Sequence, residues 1–145
     1  MSSEKRSLGI SFKDILLVSS EFRSLNNPAG DKLAYKLELT QLTREISETE
    51  KGSELYCLFG FDLMHGIEEP ACILQCTYAA RYARKESSAM TWDEFTDGMA
   101  VSHVVAYVRE FAMNLTARSG LPRLYLNPIN ANGLVSRYHK RNEEE

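Results

Sequence analysis

The residues able to do chemistry fall into four small groups. Asp62, His65, Glu68 and Glu69 share one short stretch and are of the types that hold a hard cation or work as acid and base. They straddle a turn over residues 65–70, where such charges are ordinarily solvated. Cys72 and Cys76 would be neighbours on a helix, but on a strand four residues span about 13 Å. That exceeds the roughly 7 Å between Cα atoms of a disulfide, and metal ligation by these two alone is as strained. With Cys57 they read as small core residues. His103 falls on the polar flank of a helical pattern and reads as a satisfied polar residue rather than a base. Arg81, Arg84 and Lys85 suit a solvated strand end better than a nucleic-acid site. There is no Gly-rich phosphate loop, no G-x-S-x-G and no H-E-x-x-H. The expectation is a protein with no catalytic residues, no metal ligands and no cofactor.

Composition narrows the class. At 145 residues the chain fits one domain, since domains commonly run to about 100–150 residues. With 43% hydrophobic and 26% charged residues it is neither collagen-like, low-complexity nor fully disordered. Lys+Arg 17 against Asp+Glu 20 gives a net charge of −3, which argues against a nucleic-acid partner. The longest aliphatic run, Ile15-Leu16-Leu17-Val18, falls far short of the about 20 apolar residues of a membrane span. No apolar segment follows the charges of MSSEKRS, and three cysteines is an odd number. Reduced thiols and a cytoplasmic location are expected.

The elements that must position these residues divide into a strand half and a helix half. Residues 10–22 read as a first strand, closed by a turn over 26–31. From Leu33 the chain alternates, with Leu33, Tyr35, Leu37 and Leu39 on one side and Ala34, Lys36, Glu38 and Thr40 on the other. After a turn over residues 48–53, Leu55, Cys57, Phe59, Phe61 and Leu63 share a face. After a second turn, Cys72, Leu74, Cys76 and Tyr78 do the same. Four strands with short turns predict an antiparallel meander or a close relative. Thr91 as N-cap with Glu94 three residues on predicts a capping box, and Gly120 and Pro122 stop the helix it opens. About 28 residues at about 1.5 Å each give a rod of roughly 42 Å. Residues 121–129 read as extended, and 130–141 as a short terminal helix that starts poorly at Asn132-Gly133.

On a helical wheel Val101, Val104, Val105, Val108, Phe111, Ala112 and Leu115 form the face that covers the sheet. Phe95, Met99, Ala106, Met113 and Ala117 form a second stripe on the far side. The sevenfold spacing of Met99, Ala106 and Met113 suits helix–helix packing. Either the terminal helix or a loop covers this stripe or a second subunit does, and so small a chain favours the subunit.

In the last third, Ala106-Tyr107-Val108-Arg109-Glu110, Arg118 and Leu121-Pro122-Arg123-Leu124-Tyr125-Leu126-Asn127-Pro128-Ile129-Asn130 resemble SecB, the bacterial protein-export chaperone. Tyr35-Lys36-Leu37-Glu38-Leu39 resembles the family's second strand. The resemblance implies an α+β fold, a four-stranded antiparallel sheet covered by a long helix plus a short C-terminal helix, oligomerising through the long helix. Residues 1–142 would be a single SecB-like chaperone domain and 143–145 an acidic tail. It also implies a homotetramer, a dimer of dimers, working as an ATP-independent holdase rather than an enzyme. Its partners would be unfolded polypeptide clients and either SecA or a toxin–antitoxin partner. Matched positions give a client groove of Tyr35, Leu37, Leu39, Leu124, Leu126, Pro128, Ile129 and Leu134. Ser19, Arg23 and Gln75 stand where SecA-serving relatives are expected to carry acidic residues. The alternatives are a hot-dog-like thioesterase using His65 and Glu69, or a small-ligand-binding α+β module.

Overall fold

The computed structural model describes residues 9–26 and 32–144. The N-terminal residues 1–8, most of the expected first turn (27–31) and Glu145 lie outside them. Four strands, β1 (Ile10–Ser24), β2 (Glu38–Thr49), β3 (Gly52–Asp62) and β4 (Cys72–Lys85), form one antiparallel sheet in the order β1-β4-β3-β2. The last three strands are a meander. β1 does not lie beside β2 but crosses to the far edge, where Phe12, Ile15, Leu17 and Phe22 stand opposite Tyr82, Ala80, Tyr78 and Leu74. At the other edge the terminal helix packs against the start of β2 only, and the rest of that strand is largely exposed.

The alternation of β3 and β4 survives folding. Leu55, Cys57, Phe59, Phe61 and Leu63 are buried on one face, together with Cys72, Leu74, Cys76 and Tyr78. β2 departs from its expected pattern. Ahead of Glu38, Lys36 makes an isolated bridge to Met64, and a bulge between Leu39 and Gln41 breaks the period of two. Glu38, expected in solvent, is 2% exposed. Two arginines of the terminal helix enclose it.

The long helix, α1, runs without a break through Trp92–Glu94, Phe95–Met99 and Ala100–Arg118, 27 residues in all. Thr91 Oγ1 accepts from the Glu94 N–H, and the Glu94 carboxylate accepts from the Thr91 N–H. At the other end the Ser119 N–H bonds the Leu115 and Thr116 carbonyls, and Gly120 takes φ +79°. Val101, Val104, Val105, Val108 and Ala112 face the sheet and are buried. The segment Phe95–Met99 is π-helical, which the sequence pattern did not show. Its wider turn rotates the first residues relative to the rest. Phe95, expected on the outer stripe, is therefore buried (6% exposed), edge-on to Tyr82 and Trp92 at 4.8 and 5.9 Å.

The short helix, α2, spans Ala131–Glu144 and so takes in two of the three glutamates expected as a tail. The Asn130 side chain accepts from the Gly133 N–H at 3.1 Å, supplying the cap that Asn132-Gly133 lacks. α2 lies against the start of β2 and the π-helical turn. There the Gly98 backbone approaches Asn132 so closely that a Cβ would fall 2.0 Å from its Oδ1. No helix among the described residues is long and apolar enough to cross a membrane.

Candidate functional site

Residues 121–130 connect the two helices as an extended crossover. Its alternate side chains divide cleanly, as in a strand: Leu124 and Leu126 point inward and are buried, while Arg123 and Tyr125 point outward. Bonds to its flanks hold it, among them one from the Leu121 N–H to the Thr116 carbonyl (3.1 Å). The Leu124 N–H donates to Thr116 Oγ1 (2.9 Å), the Asn127 N–H donates to the Tyr35 hydroxyl (2.8 Å), and Arg109 donates to the Asn127 carbonyl (3.4 Å). The crossover thus lies between α1 and the segment entering β2.

The expected groove residues do gather here, but mostly as core. Leu39, Leu124 and Leu134 are 0%, 2% and 1% exposed, and Leu37 and Leu126 are buried beside them. Four of these five lie under α2 and the crossover, and Leu126 also reaches a hollow beside α1. Tyr35 and Ile129 are half-buried at the margin and Pro128 is exposed. The surface that stays apolar and open is the outer side of the same region. Tyr125 is 60% and Met99 45% exposed, Ala106 and Ala117 are exposed, and Met113 is half-buried. Between α1 and the crossover lies a hollow of about 420 Å³ lined by Ala106, Arg109, Glu110, Met113, Asn114, Tyr125 and Leu126. On the opposite flank of α1 a trough of about 450 Å³ is lined by Tyr78, Tyr107, Phe111 and Leu115, with Glu110, Asn114 and Arg118 at its rim.

The sequence pattern missed Tyr125 and Tyr107 as surface aromatics. It also gave no sign that Phe12, Leu16, Leu17 and Val18 of β1 would remain exposed. Their apolar character was legible, but β1 is an edge strand, and Leu16, opposite Ala79, lies on the face away from the buried row.

The chemistry-bearing groups are dispersed. His65 Nδ1 stands 3.9 Å from Asp62 Oδ2, and Glu68 and Glu69 project separately into solvent. Among the described residues no three His, Cys, Asp or Glu side chains stand close enough to share a metal ion. Cys57, Cys72 and Cys76 are buried free thiols, and burial pushes Cys57 and Cys76 up to about 12. The basic run is split. Arg81 pairs with Asp14 across the sheet (2.7 Å) and holds that carboxyl below its usual range, while Arg84 caps the Ser88 and Met90 carbonyls. A further hollow, about 580 Å³, lies at that end of the sheet among Lys13, Lys51, Glu50 and Glu54. Ser19, Arg23 and Gln75 are exposed, with Arg23 bonded to Glu21.

No family model matches the sequence, and no curated protein matches it. A solved structure matches its fold: the SecB-like chaperone Rv1957 of Mycobacterium tuberculosis, in complex with a ChAD peptide from the Rv1956 HigA1 antitoxin. The match has a TM-score of 0.63 at 18% identity and covers 83% of this chain and 90% of that chain. The fold is SecB-like. The sheet, the 27-residue helix and the short C-terminal helix correspond.

Proposed function

We propose that this protein is an ATP-independent chaperone of the SecB-like kind, a holdase that keeps non-native polypeptides from aggregating. The observation that carries the reading is the open apolar surface along the crossover and the outer side of α1. Extended apolar client segments desolvate against such a surface at roughly 25 cal/mol per Å². Several weak contacts along one client add by avidity rather than by sequence recognition.

In this reading clients settle first on Tyr125, Pro128, Ile129 and Tyr35. The buried leucines beneath, Leu37, Leu39, Leu124, Leu126 and Leu134, support that surface and become a groove wall where α2 yields. The stripe of Met99, Ala106, Met113 and Ala117 joins copies of the chain, ultimately as a homotetramer in the cytoplasm. A dedicated client such as an antitoxin suits this chain better than SecA. Support comes from the antitoxin peptide in the matching structure and from Ser19, Arg23 and Gln75 on the surface where acidic residues were expected.

The test is direct. Purified protein is added, without nucleotide, to an unfolding client whose light scattering is followed, and its solution mass is measured alongside. Suppressed scattering by an oligomer is the expected result. A monomer that leaves scattering unchanged refutes the proposal.

A further inference from the structure

An aromatic node joins β1 to the long helix. The Phe12 ring stands 4.8 Å from the His103 ring at 72°, and Tyr107, one turn further along α1, stands 5.7 Å from it at 82°. The Tyr82 hydroxyl lies 2.8 Å from His103 Nδ1, and Tyr82 itself is 2% exposed. Tyr107 also lines the trough with Tyr78, Phe111 and Leu115, so the node closes one end of that apolar trough.

One proton arrangement satisfies this node. Tyr82 O–H donates to Nδ1, which requires a neutral imidazole carrying its proton on Nε2. A second proton reverses the bond and leaves the buried Tyr82 O–H with no acceptor. The charged groups around it do not compensate. On β1, Lys13 follows Phe12 at a bulge and Asp14 is engaged by Arg81. On β4, Arg84 lies one step from Tyr82 on the same face and adds positive charge, its guanidinium bonded to backbone carbonyls. On α1, Glu110 lies two turns away, in the trough. Among the described residues no carboxylate forms an ion pair with His103. Cation–π attraction to Phe12 and Tyr107 offsets part of the cost, yet burial still pushes the imidazole below its ordinary range.

We propose that His103 is a proton-operated latch: neutral, it fastens the β1–β4 edge to α1, and protonated, it releases Phe12 and Tyr82 and opens the trough beside Tyr107. The direction follows from linkage. The released state takes up the proton more readily, so the closed seam is fully favoured above about pH 6.5 and loses that advantage as the pH falls.

The experiment follows an apolar-surface dye and the imidazole proton resonances of the whole protein from pH 7.5 to 5. In the wild type, dye fluorescence is expected to rise several-fold with the same midpoint as His103, below that of a free imidazole. His103→Gln should flatten the rise. The chain has three histidines, so a His65→Gln/His139→Gln protein keeps His103 as its one imidazole and should retain it. That second protein decides the matter if His103→Gln does not fold. A dye transition that survives in folded His103→Gln, or vanishes in the double variant, overturns the proposal, as does titration of His103 with no change in dye binding.

Discussion

Glu38 on β2 and Arg137 on α2 are 99 residues apart in the chain and share a two-point ion pair, Arg137 Nε lying 2.7 Å from Oε1 and 3.1 Å from Oε2. Arg141 adds a second guanidinium at 2.8 Å from Oε2 and also donates to the Leu39 carbonyl. The carboxylate is 3% exposed, whereas the two arginines are 50% and 33% exposed.

That asymmetry sets the cost of breaking the cluster. Glu38→Ala leaves two guanidinium groups that turn to water, so the loss is that of hydrogen bonds to charge, about 1.5–3 kcal/mol, and not of a stranded buried ion. The urea midpoint should fall, and amide protection should be lost first in α2. Arg137→Ala should cost less, because Arg141 keeps Glu38 paired. Undiminished protection of α2 in Glu38→Ala would show that its apolar face holds it alone.

Thr116 ties the end of α1 to the crossover. Its hydroxyl is fully buried, donates to the Ala112 carbonyl at 2.8 Å and accepts from the Leu124 N–H at 2.9 Å. Thr116→Val keeps the shape but orphans a buried N–H, which costs about 1–3 kcal/mol. Thr116→Ser keeps the hydroxyl and should lose less in a chemical denaturation series. Equal losses in the two variants would mean that the methyl group, not the bond, matters here.

How far the sequence could be read follows from the same residues. The capping box at Thr91, the stop at Gly120 and the inward rows of β3 and β4 were legible because each depends on neighbours in the chain. Glu38 was not, because its partners lie in α2, and an alternating pattern assigns any polar residue to solvent. Phe95 failed for another reason: a wheel assumes a constant turn, and the π-helical segment breaks it. The crossover leucines, placed by the resemblance, pack together, but a matched position does not distinguish a groove wall from a core beneath one.

Two glycines make opposite predictions. A Cβ on Gly52 would fall 1.9 Å from the Arg84 carbonyl oxygen, a backbone atom that cannot swing aside, at φ +158°. Gly52→Ala should therefore destabilise by about 1–3 kcal/mol. At Gly98 the obstacle is the exposed side chain of Asn132, and alanine restores up to about 1 kcal/mol of helix propensity. Gly98→Ala should be nearly neutral alone and clearly stabilising beside Asn132→Ala. Strict additivity of the pair in thermal melts would mean that the contact is not tight.

Buried thiols and phenols predict an alkaline limit. Burial raises Cys57 and Cys76 from 9.0 to about 12 and Tyr78 from 10.0 to about 12, and raises Tyr82 further. Each favours its protonated form when folded, so the stability is complete below pH 9 and drains away as the pH climbs toward 12. Stability measured from pH 8 to 11 should fall with a slope that Cys57→Ala reduces. At pH 8 a thiol-alkylating reagent should label all three cysteines only after unfolding.

The last prediction separates the two surfaces that meet at the hollow beside the crossover. Tyr125 is 60% exposed, so Tyr125→Ser should change stability within about 0.5 kcal/mol. It nevertheless removes the largest exposed apolar group on the crossover, and the concentration needed to suppress client aggregation should rise several-fold. Ala106 faces outward on α1 and lines the same hollow. Ala106→Glu places a charge where copies of the chain are proposed to pack, so the solution mass should fall while a single subunit stays folded. If docking and assembly are distinct, Tyr125→Ser keeps the oligomer and loses client protection. If that variant also dissociates, one surface serves both tasks and the division proposed here between crossover and helix fails.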